Sequence, residues 1–429
     1  MSSLAQIKVA DIFAGAGGFG LGFELASYNV VASLEIDQWA CDTLRENNHQ
    51  PKKIIQADIR DYQTSSEIKK LCPGDINILI GGPPCQGFSI AGPAQKDPKD
   101  PRNSLFIDFS RWVDSLNPEF FVMENVKGLL SRHNANGERV LDIIRNVFVN
   151  QGYSVEVWLL NAAEYGVPQI RERVFIVGNR LGLKDIGAPP KTHLICTQSS
   201  ADPSSKQVES YFVMPKTVTL WEAISDLPEL QAGEGEETQP YIFPPSTNYQ
   251  IWARGEQDVL FNHVAMKHAS RMVERFKRIQ WEQSGKDVDV QYKARKRNGD
   301  TNSIGTIYYQ NNRRLHPNRP SKTIPAHYYS SFVHPFQHRN VTAREAARLQ
   351  SFPDTYRFMG KRTIVSRKLL EREGRLNENY LSQYNQIGNA VPPLLAKAIA
   401  KHIGKFISTC RNNNVSLPVA NRYPEEVNE

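Results

Sequence analysis

Apolar residues in the first 180 positions arrive as short unbroken runs separated by stretches with helical spacing. Residues 7–13 (IKVADIF), 30–37 (VVASLEID), 53–59 (KIIQADI), 75–81 (DINILIG), 119–125 (EFFVMEN), 153–161 (YSVEVWLLN) and 173–179 (RVFIVGN) read as strands, since each run is short and bounded by polar or turn-forming residues. Residues 18–27, 38–47, 103–116 and 138–152 repeat apolar side chains at helical intervals and read as helices. Strands alternating with helices make βαβ units. The predicted fold class is therefore α/β, a doubly wound and mostly parallel sheet covered on both faces.

The rhythm stops near Arg180. Residues 181–320 are punctuated by Pro and Gly and read as irregular, with 229–240 (ELQAGEGEETQP) as an exposed acidic loop. Between Lys267 and Lys322 the sign of the charge reverses, with basic clusters RFKR, KARKR and NNRR. Helices return at 342–350, where Thr342 and Glu345 form a capping box, and at 392–408.

Composition narrows the picture only a little. A chain of 429 residues, 40% hydrophobic and 23% charged, is an ordinary globular protein with room for two domains. Its net charge of +7 suits a polyanionic partner. No apolar run approaches the roughly 20 residues that span a bilayer, and the N-terminus lacks the layout of a signal peptide, so a cytoplasmic protein with no membrane partner is expected. The five cysteines form no CxxC pair, which argues against zinc and against a disulfide framework; no metal site is expected.

The chemistry gathers where strands end. Gly15-x-Gly17-x-x-Gly20 follows the first strand and opens a helix, and Glu35 closes the second strand, where an acid can hold ribose hydroxyls. This predicts a nucleoside cofactor without separating a dinucleotide from S-adenosylmethionine. Asp58, just past the third strand, could accept a bond from an amine such as that of adenine, or simply cap a loop. Past the fourth strand lies GGPPCQGFS (81–89), which aims Cys85 from a stiff loop at the ligand edge. A thiol there is a candidate nucleophile, although PPCQ read alone fits a loop cysteine with no chemical role better. Glu124 and Asn125 end the fifth strand, where a carboxyl beside a nucleophile suggests acid–base work or else a helix cap. Gln169, Arg171 and Arg173 alternate at period two and share one face. Two guanidiniums on one face want an anion, a phosphate or carbonyl oxygens, unless they only form a salt-bridged strand entry, the reading the residues alone favour.

The order of these pieces resembles the DNA cytosine-C5 methyltransferases of bacterial restriction–modification systems. The matching segments are DIFAGAGGFGLGFE, LEID, ADI, GGPPCQGFS, ENVKG, QIRERVFIVG, RPSKTI, TAREAARLQSFPD and QIGNAVPP. They span nearly the whole chain except about 181–312. The resemblance implies methyl transfer from S-adenosylmethionine, leaving S-adenosylhomocysteine, to C5 of a cytosine in double-stranded DNA. It implies Cys85 as nucleophile, Glu124 and Arg173 at the target base, Arg171 positioning the loop and a phosphate, and Asn125 supporting the loop. Phe13, Gly15, Gly17, Glu35, Asp58, Ile59, Pro84, Leu105, Asn389 and Val391 would line the cofactor pocket. GNAVPP would fold back beside DIFAGAG and complete a catalytic and cofactor-binding domain of 1–185 plus 360–429, leaving 186–359 as a target-recognition domain with a variable region at about 186–312. Gln86, Ser89, Arg295, Lys296 and Arg297 would contact DNA. A monomer with a possible cognate restriction endonuclease is expected. One departure stands out: residues 361–385 make a connection longer than the family's usual one, reading as an extra helix and loop.

Other readings explain less. A dinucleotide oxidoreductase would leave the Cys85 loop and GNAVPP without purpose. An amino-methyltransferase would carry an aromatic where Cys85 stands. A non-catalytic DNA-binding regulator would be expected to lose Cys85 or Glu124. The tRNA-modifying branch of the same family tends to a shorter variable region than the basic one here.

Overall fold

The computed structural model describes residues 3–49, 52–84, 105–134, 136–195, 214–294, 304–305, 311–378 and 380–412. The first part of the chain runs β1 Lys8–Ile12, α1 Gly18–Glu24, β2 Asn29–Glu35, α2 Gln38–Glu46, β3 Lys53–Gln56, α3 Ser65–Leu71, β4 Ile78–Gly81, α4 Leu105–Leu116, β5 Phe120–Val126, α5 Val140–Asn150, β6 Ser154–Asn161 and β7 Glu172–Asn179. These strands form one seven-stranded sheet in the order β3-β2-β1-β4-β5-β7-β6. The β1, β2, β3, β4 and β5 pairings are parallel. Only β7 runs against its neighbours, pairing antiparallel with both β5 and β6.

Side chains alternate faithfully across the pleat. Val9, Ile78, Ile80, Phe120, Val122, Phe175 and Val177 enter one core layer; Ala10, Leu79, Phe121, Met123, Val174 and Ile176 enter the other. The first layer is covered by α1 and by α12 (Pro393–Asn412), through Phe19, Phe23, Leu395, Ile399, Ile403 and Ile407. Gly22 permits that close approach: a Cβ there would stand 2.2 Å from Ala396 Cβ. The second layer is covered by α4 and α5, with Phe109, Trp112, Val113, Ile144 and Phe148 all buried. Each such side chain contributes about 1.5–3 kcal/mol of burial. The doubly wound sheet expected from the sequence is present, and Ala390 and Val391 of GNAVPP pack against Gly18 at the start of α1.

The middle of the chain is more regular than its sequence suggests. It holds α6 Leu220–Ile224, β8 Gly235–Pro240, α7 Asn248–Arg254, β9 Val259–Val264, α8 Ser270–Arg278, β10 Arg313–Arg314 and β11 Phe332–Val333, before α9 Ala343–Leu349, α10 Arg367–Arg372 and α11 Gln383–Asn389. Residues 229–240 were expected as a loop, but their second half is β8, paired antiparallel with β9. GEETQP lacks apolar alternation because β8 buries neither face, so the usual strand signal is missing. A third apolar cluster joins Ala16, Leu220, Tyr249, Ile324, Leu349, Phe352 and Tyr384. Packing is thus continuous from the glycine turn into the middle of the chain.

Buried arginines knit this region. The α9 capping box between Thr342 and Glu345 forms as expected. Glu345 also takes both Arg339 terminal nitrogens at 2.9 and 2.6 Å. Arg348 bridges Asp226 and Asp354 at 2.5 and 2.6 Å. Not every cation of the basic stretch 267–322 faces outward. Arg275 donates to Tyr292 O at 2.6 Å, and Arg314 donates to the carbonyls of Ile279, Phe276, His334, Pro335 and Gln337. Both are buried. A charge count overstates the surface these residues offer to a polyanion, because a guanidinium can be consumed by backbone carbonyls.

Candidate active site at the carboxyl edge of the sheet

The glycine turn leaves β1 through Phe13, whose φ is +57°, then Gly15 at +54° and Gly17 at +80°, the N-cap of α1. Left-handed backbone of this kind favours glycine. A Cβ on Gly15 would meet no atom within 4 Å, so space is open above the turn. Glu35, at the end of β2, faces that space. Its Oε2 accepts from Gly15 N at 2.7 Å, and its Oε1 accepts from Ile36 N and Asp37 N, both at 2.9 Å. A carboxylate has about four acceptor positions, so one remains for a hydroxyl. Burial pushes this carboxyl above the usual range, against the pull of the three amides.

The remaining cofactor-lining candidates differ in freedom. Asp58 caps the turn Ile59–Asp61, accepting from Arg60 N at 2.9 Å, and pairs with the Arg60 guanidinium at 2.5 Å. Those bonds hold the Asp58 carboxyl below its ordinary value. Ile59 is buried in the second core layer, so any contact it makes at the edge is through its backbone. Leu105 begins α4, half-buried, and Pro84 is exposed after β4. Asn389 is exposed at the end of α11, and Val391 is buried beside α1, its carbonyl 2.4 Å from where a Cβ on Gly18 would stand. Tyr356 clamps the turn from the other side, donating to Ala16 O at 2.6 Å. The open space at Gly15, the acceptor left on Glu35 and the exposed apolar Ile36 beside it fit a nucleoside with ribose hydroxyls.

The chemistry-bearing pair lies next along the edge. Glu124 on β5 and Arg173 on β7 sit on adjacent antiparallel strands and bond Oε1 to Nε at 3.0 Å, their side chains 14% and 15% exposed. Burial pushes Glu124 up, with Arg173 and Arg171 pulling it back; burial likewise pushes Arg173 down, with Glu124 opposing. The other carboxyl oxygen, Oε2, stands 3.2 Å from where a Cβ on Gly82 would lie, so it faces the start of the loop that follows β4. Asn125 ties the same loop down. Its Nδ2 donates to Pro83 O at 3.4 Å while its Oδ1 accepts from Val126 N at 2.9 Å. Cys85, Gln86, Ser89, Arg295, Lys296 and Arg297 lie outside the described residues.

Of Gln169, Arg171 and Arg173, only Arg173 lies within β7, and the fates of the three side chains differ. Gln169 is fully buried and bonds Leu349 O, Gln350 Oε1 and Ile324 N. Arg171 is 2% exposed and donates to Ile324 O at 3.0 Å, Gly388 O at 2.9 Å and Ala390 O at 3.2 Å. Of the oxygens that could satisfy it, it has taken carbonyls. The expectation that it touches a phosphate gives way to a positioning role, locking GNAVPP and the segment 319–324 to the base of β7. Sequence reading missed the carbonyl partners and the Gly82–Glu124 contact, since neither leaves a trace in residue type. Among the described residues, no group of three or more His, Cys, Asp or Glu is arranged to hold a metal ion, and no helix is long and apolar enough to cross a membrane. A cavity of about 430 Å³ opens between β8, β9 and residues 357–363, lined by none of the site residues above.

A sheet of this strand order, with its antiparallel seventh strand and a glycine turn and acid at the carboxyl edge, defines the S-adenosylmethionine-dependent methyltransferase fold. Over residues 7–405 the chain matches the family model for C-5 cytosine-specific DNA methylases, and it belongs to that family. It is 46% identical over 415 residues to the type II methyltransferase M.DdeI of Desulfomicrobium norvegicum, covering 96% of this chain and 92% of that one. It is 33% identical over 404 residues to the type II methyltransferase M1.HphI of Haemophilus parahaemolyticus, covering 94% and 87%. Among solved structures, a candidate DNA modification methyltransferase encoded within an E. coli prophage superposes with a TM-score of 0.67 at 24% identity, covering 94% of this chain and 100% of that one. That likeness bears on the fold.

Proposed function

We propose that this DNA cytosine-5 methyltransferase acts by transient covalent attachment of Cys85 to a cytosine turned out of double-stranded DNA. The single observation that carries the reading is the Glu124–Arg173 pair, whose second carboxyl oxygen faces Gly82, three positions before Cys85 in the sequence. C5 of neutral cytosine, part of an aromatic ring, is a poor nucleophile. Addition of the Cys85 thiolate to C6 moves the ring electrons onto N3 and O2 and makes C5 enamine-like. Glu124, its carboxyl raised by burial, is suited to hold a proton at N3, and the Arg173 guanidinium to hold O2. S-adenosylmethionine supplies the methyl group as an electrophile. Loss of the C5 proton to water then returns the electron pair to the ring and expels the thiolate. None of this is reachable inside a duplex, so the base must leave the stack, at a cost of a few kcal/mol.

In this reading residues 1–185 plus 360–429 carry catalysis and the cofactor, bound over Gly15, Gly17 and Glu35. Residues 186–359 read the DNA, with Arg295, Lys296 and Arg297 on phosphates and Gln86 and Ser89 near the target. The protein works as a cytoplasmic monomer, the modification partner of a restriction endonuclease. The type II names of its relatives support that role. Cys85→Ala tests the chemistry: bisulfite sequencing of DNA from expressing cells should show a methylated site with the wild-type protein and none with the variant, while duplex binding persists. Methylation at wild-type levels by the variant would overturn the proposal.

A further inference from the structure

We infer that the connection ahead of α11, through Gly360, Tyr380 and Leu381, braces the loop that presents the methyl-donor site and sets its affinity through Asp37. The inference rests on reading the Gly15–Glu35 space as that site. The excursion is closed at its base, where Gln383 N donates to Lys361 O at 2.9 Å and Tyr384 N to Arg362 O at 3.3 Å. Leu370 of α10 is fully buried, so the excursion is packed rather than splayed. Its far end docks on the start of α2. The Tyr380 ring lies 5.5 Å from that of Trp39, centroid to centroid. Gly360 presses on the same indole, since a Cβ there would come within 2.5 Å of it. Leu381 N donates to Asp37 Oδ2 at 2.7 Å.

Asp37 is the hinge of the arrangement. Its Oδ1 caps α2 by accepting from Ala40 N at 2.9 Å, and its own N–H donates to Glu35 Oε1 at 2.9 Å. Glu35 in turn holds Gly15 N at 2.7 Å. An unbroken series of bonds therefore runs from Leu381 through Asp37 and Glu35 to the glycine turn. Between them lies Ile36, its apolar side chain 60% exposed. Tyr380 and Leu381 touch neither the turn nor the Glu124–Arg173 pair. They are positioning residues for the loop that presents Glu35 and Ile36. Pinning that loop before the donor arrives removes an ordering cost from binding.

The test is titration calorimetry of S-adenosylhomocysteine on the full-length protein, with wild type, Tyr380→Ala, Tyr380→Phe, Leu381→Pro and Glu35→Ala. Tyr380→Ala and Leu381→Pro should each weaken Kd by about fivefold, the scale of one lost contact, while kcat at saturating donor and duplex affinity stay within about twofold. Tyr380→Phe keeps the ring and should bind like wild type, which guards against misfolding of the other variants. An unchanged Kd in Tyr380→Ala and Leu381→Pro, beside a weakened Glu35→Ala, overturns the inference alone. Wild-type binding by Glu35→Ala overturns the reading of the pocket itself. Equal losses in donor affinity, duplex affinity and kcat would mean that the excursion only supports the fold, and would also overturn the inference.

Discussion

Arg171→Met separates a positioning role from a substrate-facing one. The side chain is 2% exposed, and its guanidinium donates to Ile324 O, Gly388 O and Ala390 O at 3.0, 2.9 and 3.2 Å. Methionine fills much of the volume but donates nothing. Ala390 O would keep only the longer bond from Gln350 at 3.4 Å. Losing three charge-assisted bonds and stranding buried carbonyls costs roughly 3–5 kcal/mol, offset in part by relief from burying a cation. Against a total margin of about 5–15 kcal/mol that is a large fraction. Urea unfolding followed by tryptophan fluorescence should show a clearly lowered midpoint, and Arg171→Lys should do little better, because a single ammonium cannot reach three diverging carbonyls. A variant that unfolds within about 1 kcal/mol of wild type yet loses methylation would refute the reasoning and return Arg171 to the substrate.

Asp11 sits under α1, accepting from Gly20 N at 3.0 Å, and burial raises its carboxyl from 3.8 to about 7. An acid raised on folding stabilises the fold fully at low pH and loses that contribution as pH climbs from about 4 to 7. Wild type should therefore lose Tm relative to Asp11→Asn between pH 5 and pH 8, and a gain would contradict the sign. Gly82→Val places branched carbons against Glu124 Oε2, where even a Cβ would stand at 3.2 Å. It should cut kcat by about tenfold or more with little change in S-adenosylhomocysteine affinity, measured by single-turnover kinetics. Arg314→Met removes a guanidinium shared among five carbonyls. It should destabilise the protein yet leave the salt slope of duplex binding unaltered, whereas a phosphate-contacting cation would change the slope by about one.

The sheet was legible because its central strands β1, β4 and β5 are largely buried on both faces and read as unbroken apolar runs. The alternation of Val122 and Met123 between opposite layers follows from the pleat alone. The reversal of β7 was not legible, because direction depends on how the chain returns after β6 and not on the composition of the run. The short helices α3 and α6 passed unseen although Thr64 with Glu67 and Thr219 with Glu222 form capping boxes as good as that of α9. Their apolar stretches are too short to show a period. At the site, residue type and strand position were enough to bring Glu35, Glu124 and Arg173 to one edge. What they could not foretell is partnership. Arg171 and Arg173 look alike in QIRER, and only the fold gives one to three carbonyls and the other to a carboxylate.

The central claim is a carbon–sulfur bond at Cys85, and mechanism-based trapping tests it most directly. A duplex carrying 5-fluorocytosine at the methylated position, incubated with protein and S-adenosylmethionine, cannot release fluorine as a proton is released. The wild-type protein should accumulate a conjugate that survives denaturation and maps by peptide mass to Cys85. Normal methylation of the unmodified duplex with no such conjugate, or a conjugate through another residue, would contradict the account.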